Sequence, residues 1–319
     1  MKILITGGAG FIGSYLSNCL STENEVHVVD NGIRGDYSRL SNNMKIFDVD
    51  LTKFNELKKL DNKYDLIFHL AAINGTDNFY KKHHEVFEVG IKSILNIYDY
   101  FKNTNAKIIV ASSAEVYQSA KMIPTNEEVE CIIPDITNHR FSYGGSKIFS
   151  ELLVFNYGIN FFNSSIIFRP HNIYGPNMGY KHVIPQIIEK VKDAVSNKSF
   201  KIKLIGSGKE TRAFCYIDDL IEGLKVLITK GEDKNIYHIG NDHEISIHDL
   251  AKEIIQIMKV DVEISEGDNS HKGSTDRRCP DINKIKQLGY NPKFNLNDGL
   301  SKTINWYLNN TNTLDNKLL

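Results

Sequence analysis

The sequence predicts an α/β fold in which a doubly wound parallel sheet is followed by a smaller α/β C-terminal lobe. Three observations predict it. A glycine-rich turn follows the first apolar run, apolar runs then alternate with helix-periodic segments, and the spacing of these runs changes after about Arg169. With 319 residues, 41% of them hydrophobic, the chain can bury a large core in one domain or two lobes.

The first run, over 2–5, reads as a strand. Gly7-Gly8-Ala9-Gly10-Phe11-Ile12-Gly13 follows Thr6 and opens a helix over 11–20. Glycines suit a tight turn whose backbone approaches a pyrophosphate and whose helix packs close to the strand. The helix N-terminus then turns free N–H groups toward the phosphates. A second strand over 26–29 leads to Asp30 and Asn31, with Asp30 twenty residues beyond Gly10. A carboxylate at that distance accepts hydrogen bonds from an adenosine ribose and repels a 2′-phosphate, so NAD is expected rather than NADP. Further strands are expected over 45–47, 66–70, 108–111 and 165–168, with helices over 82–101 and 143–157.

Residues 1–175 are expected to form the dinucleotide-binding domain, including the catalytic groups. Residues 176–319 are expected to form mainly the lobe that holds the rest of the ligand, with some segments returning to the first domain. That lobe contains the Gly206-Ser207-Gly208 turn and helices over 218–229 and 247–258. The ligand should lie at the carboxyl ends of the parallel strands, between the lobes. The Asn-rich stretch over 309–319 lacks apolar periodicity until its end and is expected to fray.

Composition narrows the partners. A net charge of −1 gives no footprint for nucleic acid or an anionic membrane. No apolar stretch has bilayer-spanning length, and the N-terminus runs straight into a strand, so a cytoplasmic protein is expected. Cys19, Cys131, Cys215 and Cys279 are scattered without ligand spacing, which predicts reduced thiols and no metal site.

A second constellation is catalytic in character. Ser112-Ser113-Ala114-Glu115-Val116-Tyr117 ends one strand, and Tyr143-Gly144-Gly145-Ser146-Lys147 opens a helix thirty residues after Ser113. Tyr143 and Lys147 then stand one turn apart on one face. A free phenol, with a pKa of about 10, is a poor base at neutral pH. An ammonium roughly 4 Å away would bring it to roughly 7, and an oxidised nicotinamide pushes the same way. Tyr143 can then take the proton of a substrate hydroxyl while hydride leaves the carbon, with Ser113 holding the hydroxyl oxygen.

These residues carry a resemblance. The chain is similar, over nearly its whole length, to extended short-chain dehydrogenases/reductases of the nucleotide-sugar epimerase/dehydratase family, whose nucleotide-binding domain is a Rossmann fold. The matches are Gly7, Gly10 and Gly13, Asp30, Asp48-Val49, His69-Leu70-Ala71-Ala72, Ser112-Ser113, Tyr143 with Lys147, and Arg169-Pro170-His171-Asn172-Ile173-Tyr174-Gly175-Pro176. Later ones are Gly206-Ser207-Gly208, Arg212, Tyr216-Ile217-Asp218-Asp219 and Arg277-Arg278-Cys279-Pro280-Asp281. The resemblance implies that Asp48 and Val49 border the adenine, that Leu70, Ala71 and Ala72 pass along the cofactor, and that Lys147 also binds the nicotinamide ribose. It further implies that Asn172, Arg212 and one of Arg277 or Arg278 hold the diphosphate of a nucleotide sugar. Guanidinium forks match phosphate oxygens bidentately, which suits those positions. His171, among apolar neighbours, reads as a structural residue or as a further substrate contact.

Two positions depart from the family pattern: Gln118 replaces a glycine, and Gly90 stands where asparagine is usual. Asn138-His139-Arg140 either reads the sugar or forms a solvated loop. The net reaction stays open at this point. Glu115, placed two residues beyond Ser113 on an assumed strand, would share its face and could serve as a dehydratase base. Ala114 lacks the acid that hexose dehydratases place there, which weakens that reading. The expectation is therefore a C4 epimerase with a transient 4-keto sugar. A 4-dehydrogenase, a 4,6-dehydratase using Glu115, and an inactive NAD-binding regulator are the alternatives. By resemblance, a homodimer should form through the helices over 82–101 and 143–157, with Ile97, Ile148, Leu152 and Phe155 as candidate contacts.

Overall fold

The computed structural model describes residues 1–267 and 275–310. The first half of the chain runs β1 (Lys2–Thr6), α1 (Phe11–Leu20), β2 (Glu25–Asp30), β3 (Lys45–Asp48), β4 (Leu66–His69), α2 (Thr76–Lys81), α3 (His83–Phe101), β5 (Lys107–Ala111), α4 (Ser142–Leu152) and β6 (Ser164–Pro170). It continues with β7 (Ile173–Tyr174), α5 (Val183–Ser196), β8 (Lys201–Lys203), β9 (Thr211–Ala213), β10 (Cys215–Tyr216) and α6 (Ile217–Lys230). The rest is β11 (Asn235–Ile239), β12 (Glu244–Ser246), α7 (Ile247–Met258), β13 (Glu263–Ser265), β14 (Arg277–Arg278), α8 (Asn283–Gln287) and α9 (Leu296–Asn309). No helix among the described residues is long and apolar enough to cross a membrane.

Seven strands form one parallel sheet in the order β11-β6-β5-β4-β1-β2-β3. This is a Rossmann sheet. Because successive side chains in a strand point to opposite faces, the sheet sorts its apolar residues into two cores. Ile3, Ile5, Val28 and Phe68 pack with Leu16 of α1 and Leu220 and Leu224 of α6. Leu4, Val29, Ile67 and Val110 pack with Ile94, Ile97, Tyr98 and Phe101 of α3. Ile97 is therefore fully buried core and not a surface contact. Phe87 and Leu152, by contrast, are exposed on α3 and α4.

Several expected boundaries move. Residue 82 falls between two helices, α2 and α3, and α4 passes into a π turn over Leu153–Tyr157. Gly90 lets α3 and α4 approach closely, since a Cβ there would meet the Ser146 side chain at 2.6 Å. The segment after β5 does not continue as a strand. Ser113 caps a 3-10 turn, Ala114–Val116, by accepting a hydrogen bond from the Glu115 backbone N–H at 3.1 Å, so the alternation that put Glu115 and Ser113 on one strand face does not apply.

Later in the chain, short sheets β12-β9-β14, β13-β8 and β10-β7 accompany α5, α7 and α9, while β11 leaves them to pair with β6. Of the stretch expected to fray, residues 311–319 lie outside the described residues.

Candidate active site

A cleft of about 430 Å³ runs along the carboxyl ends of the central strands. Its cofactor end is built by the turn between β1 and α1. The first helical backbone bond there is Ser14 N–H to Gly10 O at 2.9 Å, which leaves the preceding amides of α1 free of intrahelical partners. Gly13 cannot be replaced without moving the turn, because a Cβ there would lie 2.1 Å from the Gly7 carbonyl oxygen. Gly7, Gly10, Phe11, Ile12 and Gly13 all border the cleft. Asp30 also borders it, accepting from the backbone N–H groups of Ala9 at 3.1 Å and Gly32 at 3.0 Å. Burial raises its carboxyl pKa, against those bonds. Asn31, Val49, Leu70, Ala71 and Ala72 complete the expected set on this wall. Asp48 is exposed and lies off the wall, which continues instead through Asp50, Leu51 and Thr52. A glycine turn with free amides and a carboxylate at the end of β2 fit a dinucleotide.

Asp30→Ala is expected to narrow the preference for NAD over NADP by at least about tenfold, equivalent to ~1.4 kcal/mol. Cofactor titration followed by fluorescence checks this; an unchanged ratio would place Asp30 away from the ribose.

At the other end of the cleft the structure brings Ser113, Tyr143 and Lys147 together. Ser113 and Tyr143 share the cleft wall, and the Ser113 side chain acts to lower the pKa of the phenol. Lys147 is 3% exposed, donates to the Ala111 carbonyl at 2.8 Å and holds its ammonium 5.8 Å from the centre of the Tyr143 ring. The ammonium thus lies beside the Tyr143 ring. Burial pushes the phenol up to about 12, opposed by the Ser113 side chain, while burial pushes Lys147 down to about 8. Behind them His69, bonded to Thr6 Oγ1 at 3.0 Å, is held by burial at about 3 and stays neutral.

Glu115 is clasped by two guanidinium groups. Arg278 Nη1 donates to one carboxylate oxygen at 2.9 Å and Arg140 Nη2 to the other at 3.3 Å. Burial favours the neutral acid, but the two arginines outweigh it and hold the carboxyl at about 2. Glu115 is an ion, not a poised general base.

The arginine pair of β14 divides as alternation dictates. Arg278 faces the cleft, whereas exposed Arg277 pairs with Glu244 at 2.7 Å. Arg212 is off the cleft wall; it donates to the backbone carbonyls of Thr211 at 2.7 Å, Asp276 at 3.2 Å and Thr275 at 2.6 Å. Asn172 lies on the wall in a left-handed conformation (φ 44°), its amide donating to the Ala213 carbonyl at 3.0 Å. His171 is 1% exposed and off the wall, its ring 4.5 Å from that of His238. Among the described residues, neither of its ring nitrogens has a hydrogen-bond partner.

Sequence reasoning missed Arg34, Phe79 and His182, all on the cleft wall. Arg34 shares the cleft wall with Tyr143 and His182. A lone arginine in a loop carries no local signal. Among the cysteines, Cys215 and Cys279 are buried, and all four are free thiols.

Comparison with known proteins agrees with this geometry. The model of the NAD dependent epimerase/dehydratase family matches residues 3–240. UDP-N-acetyl-alpha-D-glucosaminuronate decarboxylase of Bacillus cytotoxicus is 30% identical, over 96% of this chain and 97% of that one. dTDP-D-glucose 4,6-dehydratase of Dictyostelium discoideum is 31% identical, over 98% of this chain and 82% of that one. Among solved structures, a UDP-glucuronic acid 4-epimerase mutant from Bacillus cereus, in complex with NAD and a UDP-linked fluoro sugar, superposes with a TM-score of 0.85 at 25% identity, covering 97% of this chain and 99% of that one. The family match and the relatives together show that the chain belongs to the NAD-dependent epimerase/dehydratase family, a group of extended short-chain dehydrogenases/reductases that act on nucleotide sugars.

Proposed function

We propose that this enzyme oxidises C4 of a nucleotide-linked uronic acid and releases the sugar carboxylate as carbon dioxide. The observation that carries the reading is the charge at the catalytic end: one carboxylate, Glu115, against two guanidinium groups, Arg140 and Arg278. A substrate bearing its own carboxylate balances that surplus, and Arg278 already stands on the cleft wall.

Tyr143 accepts the C4 hydroxyl proton and Ser113 holds the oxygen as it becomes a carbonyl. NAD held by the glycine turn and Asp30 would supply a reversible hydride acceptor for C4. Lys147 keeps a positive charge beside the ring, which favours the ionised phenol. With a ketone at C4, the C6 carboxylate belongs to a β-keto acid. The C5–C6 bond breaks, its electron pair passes into a C4–C5 enolate, carbon dioxide leaves, and a proton is added at C5. Asn172, on the same wall, is suited to the diphosphate of the nucleotide.

Dehydration is less well served, because Ala114 offers no proton to a departing hydroxyl. The C4 epimerisation favoured by the sequence remains the second reading, supported by the likeness to a UDP-glucuronic acid 4-epimerase. It shares the oxidation and the acidic substrate and differs only in what the ketone does next.

The test is incubation in heavy water with a panel of UDP-, GDP-, dTDP- and CDP-linked sugars and uronic acids, products being followed by NMR. Expected are carbon dioxide and a nucleotide pentose with deuterium at C5. Inversion at C4 with the carboxylate retained and no solvent deuterium would replace decarboxylation by epimerisation. A neutral hexose that loses its C6 hydroxyl would overturn both.

A further inference from the structure

We propose that Phe79, carried by α2, is a positioning residue that fixes the phenol of Tyr143 for proton transfer; the inference rests on the reading of Tyr143 as the base. The two rings lie almost parallel, with centroids 4.9 Å apart and planes 11° from each other. Phe79 is 2% exposed and forms part of the cleft wall.

Its packing separates it from the rest of the fold. Phe79, Val86 and Tyr143 form an apolar cluster of their own, with Ala72 and Ile73 against it, outside both cores of the main sheet. A ring placed there supports the site more than the sheet. Cations flank the pair: the Lys147 ammonium lies 5.8 Å from the Tyr143 ring centre, and the Arg140 guanidinium carbon 5.5 Å from that of Phe79. Arg140 also holds Glu115 at 3.3 Å. One face of Phe79 therefore sets the plane of the base, and the same ring takes part in holding the arginine that fixes Glu115.

The physical effect is on orientation and on water. A tyrosine ring can swing about two side-chain torsions, and a parallel ring against it narrows that swing. Phe79 also contributes to the burial that pushes the phenol up to about 12. α2 follows Gly75 and is tied down at its start, with the Asn78 side-chain amide donating to the Asn74 carbonyl at 2.8 Å and Phe79 N–H to Gly75 O at 3.2 Å.

The experiment is Phe79→Leu beside ring-retaining Phe79→Tyr and beside Tyr143→Phe, assayed with the nucleotide sugar that turns over in the panel described above. Phe79→Leu is expected to lower kcat about 10- to 100-fold with KM and NAD affinity within about twofold, and Phe79→Tyr to restore most of the loss. The 13Cζ resonance of Tyr143, assigned by its absence in Tyr143→Phe, gives a readout independent of turnover. Without cofactor its titration midpoint should move from wild type toward about 10 in Phe79→Leu, as water reaches the phenol. If Phe79→Leu fails to fold, Phe79→Met, of similar volume, is read the same way. A wild-type kcat with an unmoved titration overturns the inference, as does a loss of activity that tracks KM or melting temperature alone. Should Tyr143→Phe itself stay active, the reading of Tyr143 as the base falls; should it be dead while Phe79→Leu matches wild type, only the positioning role falls.

Discussion

Tyr143→Phe is expected to lower kcat by roughly a thousandfold, ~4 kcal/mol of transition-state stabilisation, while leaving NAD affinity unchanged. The phenol shares the catalytic end of the cleft with Ser113, and Ser113 alone has no means of accepting a proton at neutral pH. His69 cannot take over: it is 2% exposed, neutral and bonded to Thr6. Glu115 cannot either, since two arginines keep its carboxylate too weakly basic. Phenylalanine preserves the ring that stacks on Phe79, so the loss isolates the oxygen. The pH dependence has a defined sign. Below the phenol's pKa the base carries its proton, so activity should rise with pH across the neutral range until the cofactor-bound phenol is ionised. Steady-state kinetics with cofactor titration checks both parts, and near wild-type turnover would remove Tyr143 from the reaction.

Arg169→Met is expected to destabilise the protein by about 3–5 kcal/mol, a fall of roughly 10 °C in melting temperature. Arg169 lies behind the catalytic strand end, 2% exposed. Its guanidinium donates to both carboxylate oxygens of Glu151, at 2.8 and 2.5 Å, to the Glu127 carbonyl at 3.1 Å and to the Tyr117 hydroxyl. Glu151 also accepts from the Ser112 hydroxyl, one residue before Ser113. Removing the arginine leaves a buried carboxylate without its cation, which costs far more than the pair contributes over an apolar replacement. The double variant Arg169→Met/Glu151→Met should therefore melt above Arg169→Met. Calorimetry on both decides; a double variant as unstable as the sum of the singles would mean that the two residues do not act as a pair.

The sheet was largely legible because β1 and β2 are short continuous apolar runs, as strands covered on both faces require, and because α3 buries Val86, Gly90, Ser93, Ile94, Ile97, Tyr98 and Phe101 at helical spacing. The glycine turn and Asp30 were legible because their chemistry requires fixed spacing along the chain. Glu115 was misplaced for a local reason that was readable: Ser113 is a good cap for a turn, and a cap at the end of a strand stops the alternation. Phe79 was not readable in the same sense, and Arg140 was readable only as part of a polar stretch that either reads the sugar or forms a solvated loop. Each becomes part of the site only when α2, the turn before α4 and the end of β5 converge, and no spacing along the chain encodes that meeting. Arg277 and Arg278 fall between these cases: alternation said that one of them would face the ligand, and the pairing of β14 with β9 decided which.

The position of β11 beside β6 has a consequence for how the chain is made. β6 ends at Pro170 and its outer neighbour begins at Asn235, so 235 − 170 = 65 positions of chain must be synthesised before that edge is paired. Until then a nascent chain that has already assembled the cofactor turn and the catalytic tyrosine presents an unpaired strand carrying Ile166, Ile167 and Phe168, a template for any other extended segment nearby. The chain that follows β6 thus closes the sheet as well as the cleft, and a protein cut just after β6 would keep Ser113, Tyr143 and Lys147 while losing the strand that covers its edge.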